Sequence, residues 1–128
     1  MIYIVDTHIF IWFLDSNKRL SSKFKKILQN EKNTFIFSAI VLAEIKYLIS
    51  SKRIKIDFNS VLEYICECDN CLVYPVDEVI IDNMPFGLDI HDALIAATGL
   101  VYKKSMGLDV FILTEDKKIR DSNILPVA

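Results

Sequence analysis

Short apolar runs alternate with longer stretches of helical periodicity along the whole chain. Continuous apolar runs of four or five residues are typical of strands that are buried on both faces of a parallel sheet. Strands are therefore predicted at residues 2–5, 34–37, 72–76 and 109–113, with a shorter fifth strand at 124–127.

The segments between these runs favour helices. Ser38 and Asp89 are good N-cap residues, and Pro85 is expected to end the helix that precedes it. The alternation of strands and helices predicts an α/β fold with an open, mostly parallel sheet of four or five strands flanked by helices. We expect a single domain that spans residues 1–128. Helices are predicted at residues 7–14, 22–30, 39–51, 59–68, 77–84, 90–103 and 116–121.

Composition and charge narrow the choice of function. The hydrophobic fraction of 52% indicates a globular protein with a real core. The net charge of −2, from 15 basic and 17 acidic residues, lacks the basic excess of a protein that coats nucleic acid. It does not exclude a nucleic-acid enzyme, because a bound metal ion supplies local positive charge. With neither a signal peptide nor an apolar run of about 18 residues, a cytoplasmic location off the membrane is expected.

The three cysteines are clustered at Cys66, Cys68 and Cys71. An odd, clustered set does not indicate the disulfide framework of a secreted protein. The spacing resembles part of a zinc site, but no fourth Cys or His is near in sequence. Structural thiols are the prediction, with a metal or redox role as the alternative.

Four carboxylates stand where a doubly wound domain brings residues together. Asp6 ends the first apolar run, and Asp116 closely follows the fourth. Glu44 interrupts the apolar face of residues 38–52, and Asp92 lies in the first turn of the helix predicted from residue 90. The ligand crevice of an open parallel sheet lies beyond the carboxyl ends of its strands. Carboxylates gathered there repel one another unless a cation binds them, and oxygen ligands suit Mg²⁺ or Mn²⁺. The pattern thus indicates metal-dependent hydrolysis of a phosphate ester.

Each carboxylate also has a structural interpretation. Asp6 and Asp116 are good helix N-caps, and Asp92 complements a helix dipole. Glu44 at the edge of an apolar stripe is compatible with a buried ion pair to Lys or Arg.

The neighbours of these acids are assigned supporting roles. Asp89 is expected to be a helix cap, and Glu115 an ordinary surface acid. Thr114 is placed to hydrogen-bond and orient a neighbouring carboxylate. His8 and His91 each adjoin one of the acids, where hydrogen bonding is a more common role than catalysis.

Four segments together resemble a known family. They are the sequence Val5-Asp6-Thr7-His8, the run from Ser38 to Leu48, the stretch 89–98 (DIHDALIAAT) and the sequence 113–116 (LTED). In this order and spacing they resemble the PIN-domain ribonucleases, most closely the VapC-type toxins of bacterial toxin–antitoxin pairs. The resemblance covers essentially the whole chain.

The resemblance implies a function and a set of site residues. Asp6, Glu44 and Asp92 would be the core metal ligands, and Asp116 would complete the acidic pocket, at a second metal or a bound water. The implied activity is Mg²⁺- or Mn²⁺-dependent endoribonuclease activity on RNA, with a cognate antitoxin and often a homodimer. Family members commonly carry Arg after the third acid. This chain has Ala93 there, so no contact by such an Arg is expected.

Two other classes of protein share parts of this pattern. A receiver-like phosphate-accepting domain needs an Asp at the end of its third strand and a Lys after a later strand. The third strand of this chain ends in Tyr74-Pro75-Val76-Asp77, which fits that pattern poorly. A non-catalytic PIN-like binding module would keep the fold, but an unused cluster of acids only lowers stability.

An apolar surface predicts a protein partner. Residues 9–14 are apolar in succession, and Tyr47, Leu48 and Ile49 add apolar side chains to the longer helix. A helix that is apolar on all sides has more such surface than one sheet contact buries. With the toxin resemblance, this predicts an antitoxin helix docked on the surface near these two helices. The alternative is a small domain that buries both helices fully, with or without self-association.

Overall fold

The alternation of strands and helices predicted from the sequence is present in the computed structural model, which describes residues 1–128. The four strands are β1 (Ile2–Val5), β2 (Thr34–Ser38), β3 (Cys71–Tyr74) and β4 (Val110–Leu113). The seven helices are α1 (Thr7–Leu14), α2 (Ser22–Gln29), α3 (Ala39–Ser50), α4 (Phe58–Glu67), α5 (Glu78–Asp82), α6 (Ile90–Met106) and α7 (Lys117–Ser122).

All four strands pair in parallel in the order β3-β2-β1-β4. The chain steps in one direction from β1 to β2 to β3, and then crosses back over the sheet to β4. Because such crossovers are right-handed, the two directions place helices on opposite faces of the sheet. Residues on both faces of β1 and β2 are accordingly buried, which explains their continuous apolar sequences. The predicted fold class is confirmed.

The core is built from aromatic and β-branched side chains. The Phe10 ring of α1 lies 4.4 Å from the Phe37 ring of β2, centroid to centroid, and both are fully buried. On the α6 side, Gly99 permits close packing, since a Cβ there would lie 3.3 Å from Ile4 and 2.5 Å from Leu125. Helices α1 and α6 are thereby held against the sheet, and the residues at their first turns are fixed in place.

Helix ends follow the capping residues named from the sequence. The Ser38 and Asp89 side chains accept hydrogen bonds from the first turns of α3 and α6. Helix α6 runs three residues beyond its predicted end, to Met106. Gly107, in the left-handed conformation with φ of 65°, ends it.

The predicted fifth strand does not form. Residues 124–127 make a single isolated bridge, in which Val127 pairs with Ile112 of β4. Two backbone hydrogen bonds support it, from Ile112 N to Pro126 O at 2.9 Å and from Ala128 N to Ile112 O at 3.1 Å. Pro126 has no N–H group, so the ladder cannot continue through it.

The prediction of structural thiols is wrong for two of the three cysteines. Cys68 and Cys71 lie at the two ends of the turn between α4 and β3, with Cα atoms 5.4 Å apart, and they pair as a disulfide. Cys66 is an exposed free thiol. No helix of the chain is both long and apolar enough to span a bilayer.

Candidate active site

The site lies where the strand order reverses. From β1 the chain steps to β2 on one side, whereas it later crosses back to β4 on the other side of β1. Ligands of open α/β sheets bind at such a switch point. Asp6 directly follows β1 and Asp116 closely follows β4, so both lie at this end of the sheet. The first turn of α6 and the middle of α3 contribute Asp92 and Glu44.

All four carboxylates line one cavity of about 360 Å³. The cavity is strongly polar in its side chains. Its lining consists of Asp6, Thr7, His8, Ile9, Trp12, Glu44, Asp89, His91, Asp92, Glu115 and Asp116. We refer to it as the acid cavity.

Asp6 is the most firmly held of the four. One carboxylate oxygen accepts a hydrogen bond from the Thr7 backbone N–H at 2.8 Å, and the other accepts from the Thr114 hydroxyl at 2.7 Å. Thr114 Oγ1 in turn accepts a hydrogen bond from the Asp116 N–H at 3.0 Å. The Thr114 side chain is fully buried and therefore links the ends of β1 and β4.

Burial raises the pKa of Asp6, although the hydrogen bonds from Thr114 and Thr7 act in the opposite direction. Repulsion from Asp116 adds to the rise. Asp6 is therefore a buried carboxylate whose charge is stabilised by hydrogen bonds and by the nearby His8, but not by a lysine or arginine.

Glu44 has no Lys or Arg partner, which decides against the buried ion pair considered above. Its Oε1 accepts a hydrogen bond from the Thr7 hydroxyl at 2.9 Å, and its Oε2 lies 3.5 Å from His91 Nδ1. Burial raises the pKa of Glu44, and repulsion from Asp6 contributes to the rise. Thr7 thus connects Asp6 and Glu44, a role that its position in the sequence does not reveal.

Asp92 carries the largest shift. Burial, followed by repulsion from Asp89, Asp116 and Asp6, raises the pKa of Asp92 from 3.8 to about 7. The pKa of Asp89 is lowered, mainly because its side chain accepts the Asp92 backbone N–H at 3.0 Å. Asp89 is the helix cap expected from the sequence, but it also lines the acid cavity and repels Asp92.

Asp116 combines the two roles considered for it. Its Oδ1 accepts hydrogen bonds from the backbone N–H groups of Lys118 at 2.8 Å and Ile119 at 3.2 Å, so it caps α7. It is exposed and lines the acid cavity. Glu115, expected to be a surface acid, is exposed and lies 3.6 Å from Arg120.

The donor set of the acid cavity fits a hard divalent cation. The two ion pairs of the chain involve Glu44 with His91 and Glu115 with Arg120, so no lysine or arginine neutralises Asp6, Asp92 or Asp116. As the side chains stand, no three Asp, Glu, His or Cys residues form a closed set of metal ligands. That is compatible with Mg²⁺, which usually keeps several waters and binds one or two carboxylates directly.

Comparison with known proteins identifies the family. The PIN domain family model matches residues 3–124, nearly the whole chain. The chain belongs to the PIN-domain family. Members of this family are typically nucleases, and PIN nucleases typically depend on metal. The family assignment confirms the resemblance to PIN domains and decides against the receiver-like alternative.

A solved structure shares the PIN fold. The crystal structure of VapBC2 from Rickettsia felis bound to a DNA fragment from their promoter matches with a TM-score of 0.71 and 19% identity. The match covers 100% of this chain and 98% of the other. No curated protein sequence matches the chain. At this identity the likeness shows the fold alone.

We predict that the metal-free protein loses stability as pH rises from about 4 to about 7. Asp92 has a pKa of about 7 in the folded state and an ordinary value of 3.8, so over this window the folded state holds the extra proton. Above the window Asp92 is charged in the folded protein and is repelled by Asp89, Asp116 and Asp6. Below the window Asp92 is neutral, so this repulsion is absent. Asp92→Asn should therefore raise the melting temperature by a few degrees at pH 8 in EDTA and change it little at pH 4. An equal gain at both pH values would contradict this assignment.

We predict that Thr114→Val raises the pKa of Asp6 further, because the lost hydrogen bond stabilises the charged carboxylate. Metal affinity should fall by about 10- to 100-fold, as is usual when a group that orients a ligand is removed. Carboxyl titration by NMR and metal binding by calorimetry measure the two effects. Thr98→Val is the matched control, since buried Thr98 bonds only the Leu94 carbonyl oxygen of its own helix.

Proposed function

We propose that this protein is a Mg²⁺- or Mn²⁺-dependent endoribonuclease and the toxin of a toxin–antitoxin pair. One observation carries the proposal. Carboxylates from four separate elements (Asp6, Glu44, Asp92 and Asp116) line one cavity at the switch point of a PIN domain, without a lysine or arginine to neutralise them. Such a cluster is costly to the fold unless a cation binds there.

Asp6, Glu44 and Asp92 would hold the metal, directly or through its bound waters, and Asp116 would hold a second, weaker ion or a bound water. A bound divalent ion supplies an activated water and neutralises charge on the phosphoryl oxygens. Hydrolysis of an RNA phosphodiester needs both.

The other residues of the site fix the acids in position. The Thr114 hydroxyl and the Thr7 N–H each bond one oxygen of Asp6, which leaves its remaining lone pairs free for an ion. The Thr7 hydroxyl, in the first turn of α1, donates a hydrogen bond to Glu44 and holds it in place. His91 is exposed, lines the acid cavity and lies 3.5 Å from Glu44 Oε2 through its Nδ1.

We predict that Asp6→Asn, Glu44→Gln and Asp92→Asn each abolish cleavage of RNA while the protein stays folded. Each change removes one negative charge and keeps the shape of the side chain. Asp116→Asn should reduce cleavage less than the other three changes, because Asn also caps helices and Asp116 is exposed. Cleavage of mixed single-stranded RNA by purified protein, with Mn²⁺ and with EDTA, measures the effect.

Asp77→Asn is the matched control for these variants. Asp77 also caps a short helix that follows a strand, but it lies outside the acid cavity. Full cleavage activity in the three acid variants would refute the assignment. A wild-type protein that cleaves no RNA with either metal would favour the non-catalytic binding module instead.

The antitoxin proposal rests on a second cavity of about 510 Å³. It is lined by Ile40, Ala43, Tyr47 and Leu48 of α3, with Arg53, and it shares His8, Glu44 and His91 with the acid cavity. Tyr47 is 62% exposed. Trp12 and Phe13 of α1 are only partly buried, but they lie outside this cavity. An amphipathic antitoxin helix in this groove could extend a basic side chain to Glu44.

We predict that Tyr47→Asp weakens binding of the antitoxin by at least about 30-fold, the effect of removing an interface hot spot. Val79→Asp is the matched control, because Val79 is 56% exposed but lies on α5, outside the groove. Co-purification of each variant with the candidate antitoxin measures the effect. Equal binding by both variants would exclude this groove as the docking site.

A further inference from the structure

A smaller cavity adjoins the acid cavity on the far side of Trp12. Its volume is about 240 Å³, and Trp12 lines both cavities. Its walls come from the end of α1, the loop after it and the start of α2. They consist of Trp12, Phe13, Ser16, Asn17, Lys18, Leu20, Ser22 and Lys25.

This cavity lies within the most basic segment of the chain. Five of the 15 basic residues fall between positions 18 and 26, all of them exposed, and none forms an ion pair. Lys18 and Lys25 line the cavity itself. The basic residues are Lys18, Arg19, Lys23, Lys25 and Lys26. We refer to the cavity and this segment as the basic groove.

The backbone of the segment is held by its own polar side chains. Asn17 Oδ1 accepts a hydrogen bond from the Arg19 N–H at 2.9 Å, and Ser21 Oγ accepts from the Phe24 N–H at 3.1 Å. Phe24 is buried in the core, which anchors α2 to the body of the domain. The lysines therefore extend from a fixed support.

Trp12 provides an aromatic surface between two regions of opposite charge. Its ring is partly buried and lies 6.1 Å from the His8 ring, centroid to centroid. Nucleic acid bases stack on aromatic side chains of this kind, whereas carboxylate side chains gain little from them. The aromatic ring beside the lysines therefore favours a nucleic acid over an acidic peptide as the occupant.

We propose that the basic groove binds single-stranded RNA, with Lys18 and Lys25 on backbone phosphates and one base stacked on Trp12. The strand then continues past Trp12, so that the adjoining phosphodiester enters the acid cavity. This inference rests on the proposed ribonuclease function and names the residues that position its substrate.

The chain's single tryptophan makes the stacking directly measurable. Stacking of a base on the indole quenches its fluorescence, so an unlabelled single-stranded RNA of about ten nucleotides should quench Trp12 in a saturable way. The titration is done in EDTA, where no cleavage takes place. Trp12→Phe should keep most of the binding, measured by anisotropy of labelled RNA. Trp12→Leu should weaken the binding by about 5- to 150-fold.

The lysine contacts are tested by salt dependence. Replacing Lys18 and Lys25 together by Gln should lower the slope of log Kd against log salt by about 1.4, or about 0.7 for each lost phosphate contact with a single strand. The double variant Lys52→Gln and Lys55→Gln removes the same charge from an exposed loop outside the groove and should leave the slope unchanged.

The outcomes separate this inference from the proposed function. Equal effects of the two double variants, or RNA binding without quenching of Trp12, would overturn the basic groove even if RNA cleavage persists. Binding with quenching in EDTA, but no cleavage with Mn²⁺, would support the groove and contradict the ribonuclease proposal. Equal binding of a polyglutamate peptide, again without quenching, would assign the groove to an acidic protein partner and overturn the inference.

Discussion

The acid cavity depends on the pairing of β1 with a strand on each side. Because β1 pairs with β2 on one side and with β4 on the other, the end of β1 is held on both sides. Asp6 therefore meets Thr114 from the end of β4, and Thr7 on the next residue meets Glu44 from α3. Burial raises the pKa of Asp6, and the hydrogen bond from the buried Thr114 hydroxyl offsets part of this rise because it stabilises the charged carboxylate. The site is thus a consequence of the sheet order and cannot form before β4 has joined β1.

Much of this arrangement could be predicted from the sequence because β1, β2 and β4 are buried on both faces. Continuous apolar runs located β1, β2 and β4, and the acids that follow two of them were already placed at the sheet's carboxyl end. The place of Asp89 in the acid cavity could not be predicted in this way. A residue that only caps the helix and one that also lines the cavity would stand at the same position in the sequence. Thr7 was missed for a similar reason, because its partner Glu44 is 37 residues away.

The two errors in the fold have local causes. Residues 124–127 have the apolar character of a strand, but Pro126 cannot donate to the ladder, and the segment forms one bridge. The pairing of Cys68 with Cys71 depends on the tight turn that brings their Cα atoms to 5.4 Å, and cysteine spacing alone does not specify a turn. In both cases backbone geometry, rather than the sequence pattern, determines whether the strand or the disulfide forms.

The C-terminal bridge also affects how the sheet meets other molecules. It covers part of the outer edge of β4 with backbone, whereas the outer edge of β3 remains unpaired and presents the exposed side chains of Leu72 and Val73. Unpaired edges are templates for aggregation, and natural proteins limit them with short strands and proline. β3 has four residues and is followed directly by Pro75. The two edges are therefore protected from strand-to-strand association between molecules in different ways. The C-terminal segment covers part of the β4 edge, and the β3 edge is short and ends at a proline.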